Sequence, residues 1–161
     1  VYLRHLCLSA MHGSTDNTRL NQPINSYLLD IGHFHVFAAI TAPQAIKQLT
    51  QWLTMFKLGQ LQPLMFMPRT ALAYVDAEGD HQQKLREAQP QWLDEQSQLG
   101  EGMEPHLQRL YQFPEDFSEA HFGNIAQTLL SPLLSLYHKG KLSELASYVE
   151  ASAPKANSEE L

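Results

Sequence analysis

His33-Phe34-His35 puts two imidazoles on the same side of one extended segment, because side chains alternate along a strand. Imidazole nitrogens bind metals readily, so the pair could begin a zinc site if His5, His12 or His121 supplied a third ligand. A zinc centre needs three or four converging ligands, and the sequence offers only the pair. The plainer reading is a solvent-facing strand surface, with Phe34, Val36, Ala38 and Ile40 turned toward the core.

A Mg²⁺-dependent nuclease centre of the PD-(D/E)xK kind asks for clustered acids with a lysine two residues after one of them. The acids hold the metal and the lysine helps position or activate the water. The lysines are Lys47, Lys57, Lys84, Lys139, Lys141 and Lys155. Two residues before them stand Ala45, Met55, Gln82, Tyr137, Lys139 and Ala153, and none is an acid. Pro114-Glu115-Asp116 echoes the other half of that motif, but it also suits a helix start, with proline at the first position and acids facing the dipole.

Other motifs are equally sparse. Asp76, Glu78 and Asp80 alternate, yet Glu87 does not complete a calcium-loop spacing, so a solvated turn and helix cap are expected. Gly100-Glu101-Gly102 lacks the third glycine of a dinucleotide fingerprint and follows a helix rather than a strand. There is no G-x-x-x-x-G-K-[ST] phosphate cradle and no G-x-S-x-G elbow. Cys7, the one cysteine, excludes an internal disulfide and a four-cysteine cluster. It reads as a small core residue on an amphipathic helix. Trp52 and Trp92 read as helix-packing anchors rather than base-stacking platforms. No catalytic, cofactor-binding or metal-binding residue is assigned, and no cofactor is expected.

The elements follow from periodicity. Tyr2, Leu3, Leu6 and Ala10 fall at helical spacing over 1–12, and Gly13 is placed to stop that helix. Residues 13–23 are polar and turn-rich. Two strands are expected at 24–31 and 33–40, joined at Asp30-Ile31-Gly32. Thr41 and Pro43 open a helix that runs to about Leu58, with Ile46, Leu49, Leu53 and Phe56 inward and Gly59 at its end. The apolar run 63–67 predicts a buried strand closed by Pro68. Helices are expected near 69–76, 81–97 (capped by Asp80, with Pro90 bending or dividing it) and 104–112. The strongest helix should run from Pro114 to about Lys139, kinked at Pro132 and ended by Gly140. A helical piece at 141–150 and a small, polar, acidic tail complete the chain.

The chain has 161 residues, 43% of them hydrophobic and 17% charged, enough for one domain with a real core. No apolar run approaches the roughly 18 residues that would suggest a membrane span, and no secretory leader pattern is present at the start. A lone cysteine fits a reducing cytoplasm. The formal net charge of −6, with scattered cations, argues against this piece gripping duplex DNA by itself. Val1 lies inside a helical pattern, which suggests a piece of a longer chain.

Together these residues resemble the C-terminal region of the RecC family. VYLRHLCLSAMHG resembles that family's helix leading into a hairpin, YLLDIGHFHVF its strand–turn–strand, and AIKQLTQWLTMFKLGQLQPLMFMPRTALAYVDA the helix, strand and helix that follow. KLREAQPQWLDEQ and GNIAQTLLSPLLSLYHKGKL resemble the later helices. The resemblance spans about 1–142, leaving 143–161 as a short helical piece and a disordered tail. It implies an α/β fold with a small mixed sheet of about three strands, flanking helices and a helical cap. Such a fold is a degenerate PD-(D/E)xK nuclease-like domain without its catalytic residues, with further strands expected before Val1.

What the resemblance implies for function is a non-catalytic domain of the gamma subunit of exodeoxyribonuclease V, an ATP-dependent helicase–nuclease of DNA-break repair and recombination. Its partners would be RecB and RecD, with DNA reached through the assembled complex and no membrane involved. Trp92, Phe113 and Tyr148 are the aromatic candidates for subunit anchors. The alternatives are an active metal-dependent nuclease or hydrolase fragment, and an unrelated α/β protein-interaction module.

Overall fold

A computed structural model describes residues 1–12, 24–93 and 100–152. The loop expected at 13–23, the stop at Gly13, the end of the 81–97 helix and the acidic tail therefore lie outside the described residues.

Helix α1 spans Tyr2–His12 and buries Tyr2, His5, Leu6 and Ser9. Leu3, expected on the inner face, and Cys7, expected in the core, are exposed. The buried stripe is centred between positions 2, 5, 6 and 9, and Cys7 lies one helical step beyond it.

Strands β1 (Ser26–Leu29) and β2 (His33–Phe37) form the expected hairpin, with Tyr27 opposite Val36 and Leu28 opposite His35. Gly32 takes φ +89° at the turn, a conformation that costs glycine nothing.

Helix α2 spans Ala42–Gly59. Gln44 Oε1 accepts from the Thr41 N–H (3.0 Å) and from the Thr41 hydroxyl (2.9 Å) at its start. Its inner face departs from expectation. Ala45 is fully buried, and Leu49 and Trp52 pack beside it. Ile46, Leu53 and Phe56 are 53%, 59% and 65% exposed. The small Ala45 sets this rotation by letting the helix approach Tyr2, whose hydroxyl donates to Gln48 Oε1.

Residues 63–67 form no strand. The Phe66 N–H turns back onto the Leu64 carbonyl (2.9 Å), and flanking Pro63 and Pro68 remove two donors a sheet would use. Met67 is buried all the same, with Met65 and Phe66 packed nearby. Helix α3 (Pro68–Asp76) follows, then α4 (His81–Trp92), with Pro90 inside it and its start capped by Asp80 Oδ1, which accepts from the Gln83 N–H (2.9 Å). A 3₁₀ turn at Glu101–Met103 leads into α5 (Pro105–Leu110).

The long helix expected from Pro114 begins later and ends earlier. Asp116 Oδ2 accepts from the Gln112 N–H (2.6 Å), so 112–116 closes as a turn, and fully buried Phe117 enters the core. Ser118 then caps a π-type turn at Glu119–Gly123 that runs into α6, Asn124–Leu136. Tyr137 turns extended and opens β3 (Tyr137–Lys141). This segment, not 63–67, is the third strand. It pairs antiparallel with β2, giving an antiparallel sheet in the order β1-β2-β3. A 3₁₀ turn at Leu142–Glu144 leads to α7 (Leu145–Ser152).

Two cores result. Tyr2, Leu6, Phe37, Ile40 and Ala45 join α1, the sheet and α2. The larger core joins α3, α4, the turn before α6, and α6 itself. Within it Trp92, Phe117, Phe122 and Tyr74 make successive edge-to-face contacts with centroids 4.8–5.2 Å apart. Trp52 and Leu133 pack against both cores, the anchor role expected of Trp52. Among the described residues the class is α/β with a three-stranded sheet, as expected from the sequence.

Candidate functional site

The strand histidines meet a carboxylate that the sequence marked only as a turn residue. His35 Nε2 lies 2.8 Å from Asp30 Oδ2, and His35 Nδ1 lies 2.6 Å from the Tyr137 hydroxyl. Asp30 Oδ1 accepts from the His33 N–H (3.1 Å) and stands 3.7 Å from His33 Nδ1. The hairpin turn places Asp30, and the register of β2 with β3 brings Tyr137 to the same face.

A carboxylate only accepts, so Nε2 carries the proton of neutral His35 and Nδ1 accepts from the Tyr137 O–H. The bond from His35 holds the Asp30 carboxyl below its ordinary range, with the charges of His35 and His33 adding to it. Burial, then the Asp30 charge, pushes the Tyr137 phenol up. An acid–imidazole–hydroxyl series of this kind could relay a proton in a hydrolase. In the fold the series ties the hairpin turn to β3.

The face expected to meet solvent is exposed mainly at His33. His35 is covered, its side chain only 15% accessible, and Phe37 on the same face is buried under Tyr2 and His5. His5 itself is buried, with Nδ1 2.8 Å from Ser26 Oγ, while Nε2 makes no hydrogen bond. Burial pulls its pKa below the ordinary value, opposed by the nearby Ala38 carbonyl. Neither His5, His12 nor His121 joins the strand pair as a third ligand. Among the described residues, no three His, Cys, Asp or Glu side chains are placed to hold a metal ion.

The remaining motifs make contacts within the fold. Glu101 bridges to α3: its carboxylate accepts from the backbone N–H groups of Arg69 (3.0 Å) and Thr70 (2.7 Å) and from the Thr70 hydroxyl (2.8 Å). A Cβ on Gly102 would stand 2.4 Å from the Trp92 indole, so that glycine permits the close approach. Asp76, Glu78 and Glu87 line an open hollow.

The proposed anchors are committed inward. Trp92 is buried, and Phe113 stacks on it with centroids 6.3 Å apart. Tyr148 packs on His138 (4.8 Å, 5° between planes) and on Phe34. The large apolar side chains that do face outward include Ile46, Leu53 and Phe56 on α2. A sequence reading misses them because they fall on one helical stripe with Leu49, and such a stripe ordinarily faces the core. No helix among the described residues is long and apolar enough to cross a membrane.

These features define an α/β domain whose polar clusters link its elements and whose outward surface is partly apolar. Residues 1–79, carrying α1, the hairpin, α2 and α3, match the family model of the RecC C-terminal domain. Over that stretch, just under half of the chain, it is similar to the RecC C-terminal domain, a family found in a RecBCD subunit. The match is narrower than the 1–142 resemblance, and α6 and β3, which complete the core and sheet, lie beyond it. No curated protein and no solved structure matches the chain.

Proposed function

We propose that this chain works by contact rather than by chemistry of its own, as the C-terminal domain of a RecC subunit. Its role in that reading is to dock against the RecB and RecD subunits and help guide the separated DNA strands during double-strand-break repair and recombination. The observation that carries it is the family match over residues 1–79. The absence of a (D/E)-x-K element from the sequence and the net charge of −6 support it, since neither metal hydrolysis nor independent DNA binding is provided for. The reading includes a degenerate nuclease-like domain over 1–142, followed by a short helical piece and tail, and a place in the cytoplasm.

The test is co-expression with RecB and RecD subunits, alongside incubation of the isolated chain with linear DNA and Mg²⁺ or Mn²⁺. Co-purification with either subunit and intact DNA are expected. Cleavage by the chain alone, lost in Asp30→Asn or His35→Gln, would replace the assembly role with a nuclease role. A chain that neither cleaves nor co-purifies would overturn the assembly role and favour an interaction module with other partners.

A further inference from the structure

The outward side of α2 carries more apolar surface than a solvated helix needs. Ile46, Leu53 and Phe56 are each more than half exposed, and Leu61, just past the helix end, is 85% exposed. The polar residues among them are partly neutralised. The Thr50 hydroxyl donates to the Ile46 carbonyl and the Thr54 hydroxyl to the Thr50 carbonyl, both at 2.8 Å. Their hydroxyls are thus used within the helix, leaving the methyls to add to the apolar face.

At the C-terminal end of α2 this face meets a cavity of about 260 Å³, lined by Trp52, Met55, Phe56, Gly59, Leu64 and Phe66 among others. Its walls are mainly apolar, with Gln60 the one polar side chain among the described residues that line it. From Ile46 to Phe56 the helix rises about 15 Å, the length of roughly three helical turns.

Charge selects among occupants. The chain carries a net −6, yet no carboxylate occurs between Asp30 and Asp76. The charged side chains on α2 are Lys47 and Lys57, both exposed and neither in an ion pair among the described residues. A second copy laid on this face would bring lysine against lysine. A partner with carboxylates beside its apolar stripe would find both lysines unopposed.

We propose that the outer face of α2 is a docking groove for an amphipathic helix of a partner protein, with acidic residues flanking its apolar stripe and one large apolar side chain seated in the Trp52–Phe66 cavity. This deepens the assembly reading and rests on it. Helix-in-groove binding reads as anchors at helical spacing entering an apolar groove, and α2 with its cavity supplies that counterpart.

The test uses the full chain assembled with RecB and RecD subunits. Carbodiimide cross-linking joins a lysine amine to a carboxylate at ion-pair distance without a spacer. Mass spectrometry should then find Lys47 or Lys57 joined to an Asp or Glu on a helical segment of one of those subunits. Leu53→Glu, placed at an exposed position so that the fold is retained, should weaken assembly roughly tenfold or more. Lys47→Glu combined with Lys57→Glu should also weaken it, with circular dichroism of all variants unchanged. If the complex forms but Leu53→Glu assembles normally and the lysines stay unlinked, the groove proposal fails while the assembly reading stands. Links only between copies of this chain would also overturn it. If no complex forms with either subunit, the assembly reading falls, and the groove proposal with it.

Discussion

The ring of Phe34 occupies the place where a side chain on its cross-strand partner Gly140 would begin. The two residues face each other in the pairing of β2 with β3, and a Cβ on Gly140 would stand 2.5 Å from Phe34 Cε1 and Cζ. Phe34 is itself almost fully buried, so it has little room to yield. Gly140→Ala is therefore expected to destabilise the fold by about 1–3 kcal/mol, the range for overpacking a filled core. Urea unfolding checks this, and Gly140→Ala combined with Phe34→Leu should recover part of the loss. Wild-type stability in Gly140→Ala would show that this pairing is not the one the chain adopts.

The same glycine shows where sequence reading stops. After a helical run of Leu129, Leu133 and Leu136, Gly140 has the usual position of a helix terminator. What ends α6 is not local. Tyr137 becomes extended because β2, about a hundred residues earlier, offers an open edge, and the Ala38 N–H also donates to the Leu136 carbonyl (2.8 Å). Residues 63–67 mislead in the opposite way, having the apolar composition of a strand without a strand to pair with. Local signals served better where the partners were local: Gly32 in the hairpin, Thr41 with Gln44, and Asp80 with Gln83 all act within three residues. Among the site residues, the histidine pair was legible from alternation. Its partners Asp30 and Tyr137 were not, because the hairpin turn and a third strand from far along the chain bring them in.

Buried His5 makes stability depend on pH. Its pKa lies below the ordinary 6.5 in the folded protein, chiefly through burial, so the unfolded chain binds the proton more readily. The resulting stability is fully present above about pH 6.5 and is lost as pH falls from there through the folded value, with a slope of at most about 1.4 kcal/mol per pH unit for one proton. Chemical unfolding between pH 7.5 and 4.5 should show this slope, and His5→Gln should show a shallower one. Parallel curves for the two proteins would rule His5 out as its source.

The Asp30–His35–Tyr137 series makes a spectroscopic prediction. Because Asp30 accepts from His35 Nε2, the neutral imidazole should be the Nε2–H tautomer, with Nδ1 accepting from Tyr137. Long-range ¹H–¹⁵N correlation spectra near pH 8 report the tautomer directly. Tyr137→Phe should keep it, whereas Asp30→Ala should allow a mixture. The lowered Asp30 pKa adds stability that is present above the ordinary carboxylate value and lost as pH falls through the folded value. The effect on stability should be small, since the Asp30 side chain is half exposed.

Glu101 should matter more than its place in a Gly-Glu-Gly loop suggests. Its two carboxylate oxygens take three hydrogen bonds at the start of α3, two of them from backbone N–H groups that have no partner within the helix. The negative charge also faces the positive end of the helix dipole. Since Glu101 lies thirty-one residues from Thr70, the contact pins the 3₁₀ turn and neighbouring Gly102, packed on Trp92, against α3. Glu101→Ala should cost about 1–2 kcal/mol, as the loss of a helix cap does, and Glu101→Gln should cost less because its one remaining amide oxygen can still accept. Amide exchange locates the effect: the Arg69 and Thr70 N–H groups should lose protection in Glu101→Ala while those in the middle of α6 keep theirs. Equal protection at Arg69 and Thr70 in wild type and variant would mean that Glu101 does not cap α3.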